Sequence, residues 1–355
     1  MLLRTAPALA IAAALCLATV SSAGSAPPSV REAIGQLMLV RMHGRAPSTL
    51  FLARIRRGEI GGVVLFADNY GPRGPARLVA TLQRAARQGR RPPLLIAIDQ
   101  EGGLVKRLPG APSFAPPQMR SAPIAEAQGF ETARNLRQFG VNLDLAPVLD
   151  VGRGGFITPR AFGSTPAQVA ARGPAFALGL ARGGVVASGK HFPGLGYATR
   201  STDASAAPVP ATRVQLLEDL APFRAAIMAG IGTVMVSTAV YTSLAPRVPA
   251  ADSSAIVSGL LRERLGFRGV VVSDALKTPA VNRYFSTPEA ARRAVAAGVD
   301  LVLAAGGTGD YADTDGASIS TYDALVEAVR SGSLAQATVR SAYSRVLALK
   351  ARLPD

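Results

Sequence analysis

The chain has few of the residues that most often carry chemistry. Its 355 residues include one cysteine and two histidines. Cys16 lies inside the N-terminal apolar run, so the rest of the chain has no disulfide, cysteine metal site or thiol nucleophile. A zinc site needs three or four ligands, and His43 and His191 fall on different candidate strands, so no metal is expected. There is no Walker motif, no G-x-S-x-G elbow and no glycine-rich dinucleotide turn after the first strand. Acidic residues number 23 against 39 basic ones, a net charge of +16. Aromatic content is only 5%, and no dense basic run is interleaved with aromatics, so no nucleic acid is expected as a partner. The basic residues, mostly arginine, are scattered singly and in pairs, as on a solvated surface; attraction to an anionic cell wall would follow from such a charge.

The first residues read as an export signal. Met1 to Arg4 is a short basic start, "APALAIAAALCLATV" is apolar, and "SSAGSAPP" offers small residues for cleavage after Ala23 or Ala26. The alternative is a retained membrane anchor, for which the run is short. On this reading residues 1–26 are a signal, residues 27–355 are one unit without a membrane span, and the location is secreted or cell envelope.

Eight apolar runs follow: 36–42, 61–67, 94–99, 141–148, 185–192, 232–238, 269–275 and 300–306. Most are continuous rather than alternating, as buried parallel strands are. Segments with helix signals lie between them. "STPAQVAARGPAFALGLARGG" opens on Ser/Thr before Pro166 and closes on glycine. "STPEAARRAVAAG" repeats the device, with Thr287 expected as cap. "LLEDLAPFRAAIMAG" reads as one further helix, and the C-terminal stretch as two joined at "SGS". Eight strands alternating with helices predict a (β/α)8 TIM-type barrel in a single domain, an open doubly wound sheet being the alternative.

In such a barrel the chemistry sits where strands end. The third run ends in Asp99 and "QEGG", the fourth runs into Asp150, the fifth ends in Lys190-His191, and the seventh in Ser273-Asp274. Each has a plain structural alternative: Asp99 as a turn cap, Asp150 as a loop aspartate bonding its own backbone, His191 as a satisfied core histidine. Lys190, at the end of a buried strand, needs a polar partner or a ligand. Carboxylates, a lysine, a histidine and arginines together suit a polyhydroxylated ligand and acetal cleavage.

"AIDQEGGLVKRL", "LAPVLDV", "KHFPGLG" and "GFRGVVVSDAL", in that order, resemble glycoside hydrolase family 3, and among its members the single-domain bacterial β-N-acetylhexosaminidases. The resemblance covers about residues 30–350. It implies that Asp274 is the nucleophile, and that Asp99, Arg160, Lys190 and His191 bind the non-reducing sugar. It implies no cofactor. The sequence also departs from that pattern. Leu195 replaces the histidine of "PGHG", Leu104 the arginine usual after "EGG", and Thr238 a common sixth-strand histidine. Ser205 falls where the acid/base histidine of an Asp-Ser-His motif would stand, while Asp203 lies near the motif's aspartate. General acid catalysis typically contributes about 10²–10⁴-fold, or about 3–5 kcal/mol of barrier. Three readings follow: Asp203 is itself the acid/base, the enzyme works only on good leaving groups, or the pocket binds sugar without cleaving it. β-Glucosidase activity is the alternative within the family.

Overall fold

The computed structural model describes residues 28–205, 208–306 and 314–354. The expected signal segment, with Cys16, lies outside them.

Eight strands form the barrel: β1 (Met38–Arg41), β2 (Gly62–Val64), β3 (Leu95–Ile98), β4 (Leu143–Asp144), β5 (Val186–Phe192), β6 (Thr233–Val236), β7 (Val270–Ser273) and β8 (Val302–Ala304). They pair in parallel in chain order, with β8 beside β1. A parallel bridge from Val272 to Leu301 joins β7 to the chain entering β8 and completes the ring. The sequence expectation of a (β/α)8 barrel is thus met, with each strand shorter than its apolar run.

The runs are continuous because both strand faces are covered. Leu39, Val64, Leu95, Leu143, Val272 and Leu303 pack inside the barrel. Their neighbours Val40, Val63, Ile96, Val234, Val271 and Val302 belong to the layer between barrel and helices. Fully burying such a side chain is worth about 1.5–3 kcal/mol. Residues that extend the runs past the C-terminal strand ends lie at the mouth, where some still bond to the neighbouring strand, as the Asp274 N–H does to the Val236 carbonyl at 2.9 Å.

The helices follow their end signals, with two differences. Pro166–Arg182 is capped by Thr165, whose hydroxyl accepts the Gln168 N–H. Thr287–Ala297 is capped by Ser286 rather than Thr287. The Ser286 hydroxyl accepts the Glu289 N–H, and Thr287 is already helical. That helix ends on Gly298 at φ 111°, a left-handed position that glycine fills without strain. The segment expected as one helix around Pro222 is two, Arg213–Glu218 and Ala221–Met228. Proline lacks an N–H and cannot continue a helix through its interior, but it suits a first turn.

The last helix, Gln336–Lys350, closes the bottom of the barrel. Val346 and Leu349 join the interior cluster. Lys350 is buried there, its ammonium donating to Gln36 Oε1 at 2.6 Å and to the Gly61 carbonyl at 2.7 Å. With burial as the cause, its pKa falls to about 7.

Candidate active site

Strand β5 carries the feature that opens the site. Gly189 pairs with Val234 and Phe192 with Val236, so β5 spends three steps where β6 spends two. That extra residue is a bulge, and a bulge breaks the alternation of side chains between faces. Lys190 and His191, adjacent in sequence, therefore both line the pocket at the C-terminal end of the barrel. The turn beyond them has Gly194 at φ 133° with open space around its α-carbon. Backbone conformation, not crowding, calls for glycine there.

The same pocket is lined by Asp99 beyond β3, by Arg160, by Asp203, and by Asp274 beyond β7. All six residues expected from the sequence to act on a ligand meet around one cavity. Its apolar wall includes Phe66, Leu145, Phe156, Met235 and Leu303. Phe66 is held in place by the buried Arg41 guanidinium, 4.1 Å from its ring centroid, and Arg41 is tied to Asp68 at 2.9 Å. A second groove, between Pro166–Arg182 and Ala221–Met228, is lined almost wholly by apolar residues and holds no carboxylate or histidine. It lacks the groups for acetal chemistry.

Two polar networks fix the site. The first centres on Glu101, whose carboxylate takes a two-point contact from Arg160 at 2.7 and 2.8 Å and an ion pair from Lys190 at 2.7 Å. Burial pushes the Glu101 carboxyl up, but Lys190 and Arg160 outweigh that and hold it at about 2. Lys190 also donates to Asp99 at 2.6 Å, and Arg107 stands 3.9 Å from the other Asp99 oxygen. Two cations, Lys190 and Arg160, thus face two anions, Glu101 and Asp99. A buried charge set persists only when paired in this way. Burial lowers the Lys190 pKa and its two carboxylates raise it; the carboxylates win, so the ammonium stays charged.

The second network centres on Asp150. Its Oδ2 lies 2.7 Å from His191 Nδ1, and its Oδ1 accepts the Leu195 N–H at 2.7 Å. The His191 N–H also reaches Asp150, at 3.2 Å. Asp150 does not bond its own backbone; it reaches across to the β5 turn. With Nδ1 engaged by a carboxylate, only Nε2 of His191 is left for a ligand. His191 is thus both a satisfied histidine and a lining residue. Leu195 is 1% exposed and lines the pocket, so the side chain that replaces a histidine there presents an apolar wall.

Asp144, at the end of β4, was not picked out from the sequence. It is fully buried and accepts the Gln100 N–H at 3.0 Å. Burial pushes its carboxyl up to about 8, against the Gln100 bond, so it holds its proton at neutral pH. The Gln100 side chain accepts the Arg107 and Leu108 N–H groups and donates to the Leu108 and Ala111 carbonyls. It shapes the loop below Asp99 rather than touching the cavity. Asp203 is exposed at the pocket edge, and its backbone N–H donates to Ser201 Oγ at 3.2 Å. Asp274 is partly buried, its Oδ1 accepting the Ala275 N–H at 2.8 Å. Among the described residues, no three His, Cys, Asp or Glu side chains are grouped to hold a metal ion.

Residues 29–349 match the glycosyl hydrolase family 3 N terminal domain. The chain belongs to glycosyl hydrolase family 3. Its family places it among the glycoside hydrolases. It is 33% identical over 333 residues to a secreted glycosyl hydrolase of Arthroderma benhamiae, covering 90% of this chain and 92% of that one. It is 36% identical over 280 residues to a beta-hexosaminidase of Xylella fastidiosa, covering 75% of this chain and 82% of that one. Among solved structures, a family 3 β-N-acetylglucosaminidase from Paenibacillus superposes with a TM-score of 0.85 at 34% identity. That match covers 92% of this chain and 63% of the Paenibacillus chain. A β-N-acetylhexosaminidase from Beutenbergia cavernae superposes with a TM-score of 0.80 at 33% identity, over 92% of this chain and 100% of that one. The structural likeness therefore covers the family 3 barrel, which is where the pocket lies. No described helix is long and apolar enough to cross a membrane.

Proposed function

We propose that this family 3 hydrolase removes terminal β-linked N-acetylglucosamine with retention, after export across the membrane. Residues 1–26 serve as the signal and residues 27–355 as the catalytic unit. Cell-wall fragments are the proposed substrates, and the positive surface draws the enzyme to an anionic wall. The observation that carries the reading is the convergence of Asp274, Asp203, Asp99, Arg160, Lys190 and His191 on one cavity.

In the proposed mechanism the Asp274 carboxylate attacks the anomeric carbon as the bond to the leaving oxygen breaks. Asp203 gives that oxygen its proton. The glycosyl-enzyme ester is then hydrolysed by a water that passes a proton to Asp203, which regenerates both groups. Lys190, Asp99 and Arg160 present charged donors and acceptors to sugar hydroxyls, and His191 offers Nε2. Asp203 is solvent-exposed without substrate, so a bound sugar has to cover it. Catalytic hydrogen bonds often tighten only in the substrate complex.

The test compares wild type, Asp274→Asn and Asp203→Ala on an aryl β-N-acetylglucosaminide and on an unactivated disaccharide. Asp274→Asn should abolish turnover of both. Asp203→Ala should impair the disaccharide far more than the aryl glycoside, whose leaving group needs no proton. Equal small losses on both would remove Asp203 from the role. Sugar binding by calorimetry without any turnover by wild type would replace the hydrolase reading with a binding one, and preference for an aryl β-glucoside would replace the sugar.

A further inference from the structure

Residues 69–98 contain six arginines and no aspartate, glutamate or lysine. Their centre is the helix Ala76–Gln88, which packs Leu78, Val79, Leu82, Ala85 and Ala86 inward. At 100° per residue, Arg77, Arg84 and Arg87 fall on the opposite side within about 80° of arc. Arg73 precedes the helix and Arg90 follows it. All five are exposed, and none forms an ion pair among the described residues. Other surface arginines also lack ion pairs among the described residues, Arg120, Arg213 and Arg264 among them, but they are scattered; here five share one face and its two ends. The carboxylates that flank this stretch are already engaged, Asp68 by Arg41 and Asp99 by Lys190. Arg90 sits at φ 55°, a left-handed position better suited to glycine.

We propose that this face is a docking track for a flexible linear polymer carrying a phosphate in each repeat. Arginine holds phosphate through two parallel N–H bonds, which lysine cannot do. The track is a line, not a patch: thirteen helical residues span about 20 Å. One end abuts the active site. Tyr70, just before it, donates to the Arg107 carbonyl at 2.8 Å, and the Arg107 guanidinium stands beside Asp99. A bound polymer would thus hold the enzyme with its pocket close by. Residues 71–94 contain no aromatic, so nothing there stacks a nucleobase. No exposed large apolar side chain lies between 69 and 94, and the helix has spent its apolar face on the barrel, which disfavours insertion into a lipid surface.

The test uses inorganic polyphosphate of defined length, titrated into the full chain across a salt series. The variant combines Arg77→Gln, Arg84→Gln and Arg87→Gln. Wild type should bind, and the variant should bind at least tenfold more weakly. The slope of log affinity on log salt should fall by about 2, since each lost phosphate contact removes about 0.7. Hydrolysis of a small aryl glycoside should be unchanged, which separates this result from any failure of the catalytic reading. The matching triple Arg→Lys variant should keep most of the salt slope but lose affinity. Unchanged affinity in the Gln variant at an unchanged melting temperature overturns the proposal. So does tighter wild-type binding to single-stranded DNA, or to anionic phosphatidylglycerol vesicles, than to polyphosphate.

Discussion

Lys190 Nζ lies 2.7 Å from Glu101 Oε1, and both side chains are almost wholly withdrawn from solvent. This pair, with Arg160 on both oxygens of Glu101, ties the loop after β3 to the bulged end of β5. The charged groups at the mouth are thus ordered before any ligand arrives.

Glu101→Gln should therefore be damaging although Glu101 does not itself line the cavity. It leaves the buried Lys190 and the half-buried Arg160 short of one negative charge. Breaking one partner of a buried pair typically costs about 3–5 kcal/mol. A fall in melting temperature, with a rise in KM larger than the fall in kcat, is expected by calorimetry and steady-state kinetics. A variant as stable and as active as wild type would contradict this role.

The same group makes stability depend on acid. Its folded pKa of about 2 lies below the ordinary 4.5, so its contribution is full above about pH 4.5 and drains away as pH falls toward 2. The size is about 3 kcal/mol by linkage. Urea titrations from pH 6 to pH 3 should show wild type losing stability more steeply than Glu101→Gln.

Asp144 should act in the opposite direction. Its folded pKa of about 8 exceeds the ordinary 3.8, so its contribution is full below about pH 3.8 and lost as pH rises through 8. Asp144→Asn mimics the protonated acid and keeps an oxygen for the Gln100 N–H. It should match wild type near pH 3.5 and melt progressively higher as pH rises, most of all at pH 8.5. Equal melting curves at both pH values would show that the carboxyl is already ionised.

Asp150→Asn should leave His191 present but poorly held. The Leu195 N–H keeps an acceptor, whereas Nδ1 loses its charged partner. Carboxylates that orient a metal-binding histidine are worth about 10–100-fold, and a loss at the lower end of that range is expected for a histidine that orients a sugar. The loss should appear in kcat/KM with little change in melting temperature, and the pH profile of kcat/KM should shift. An unshifted profile would assign Asp150 to folding alone.

Ser205→His offers a gain of function. Ser205 is two residues from Asp203, the spacing at which an Asp-Ser-His motif places its histidine. If the loop can bring the imidazole to the leaving oxygen, hydrolysis of an unactivated disaccharide should rise about tenfold or more, within the range of general acid catalysis. An increase on the aryl substrate alone would count against the idea.

Much of this architecture is legible from residue order. Continuous apolar runs had to be strands covered on both faces, and their alternation with proline-started, glycine-ended helices left the barrel as the simplest closure. The polar residues that terminate those runs had to gather at one rim, because parallel strands end on the same side. What the residue order could not convey is who holds whom. Asp99, Glu101, Arg160 and Lys190 are spread over 92 positions, and only the fold brings them within hydrogen-bond reach. Asp144 reads as an ordinary strand-end aspartate, and burial, helped by the nearby Asp99 and Glu101 carboxylates, makes it an acid that keeps its proton. The pairing of Lys190 and His191 on one face depends on a bulge, and a bulge is a matter of register between two strands, which neither strand's own sequence specifies. Local pattern chose the elements, and long-range packing chose the partners, because a charge in a dry interior must find its counterpart wherever the chain puts it.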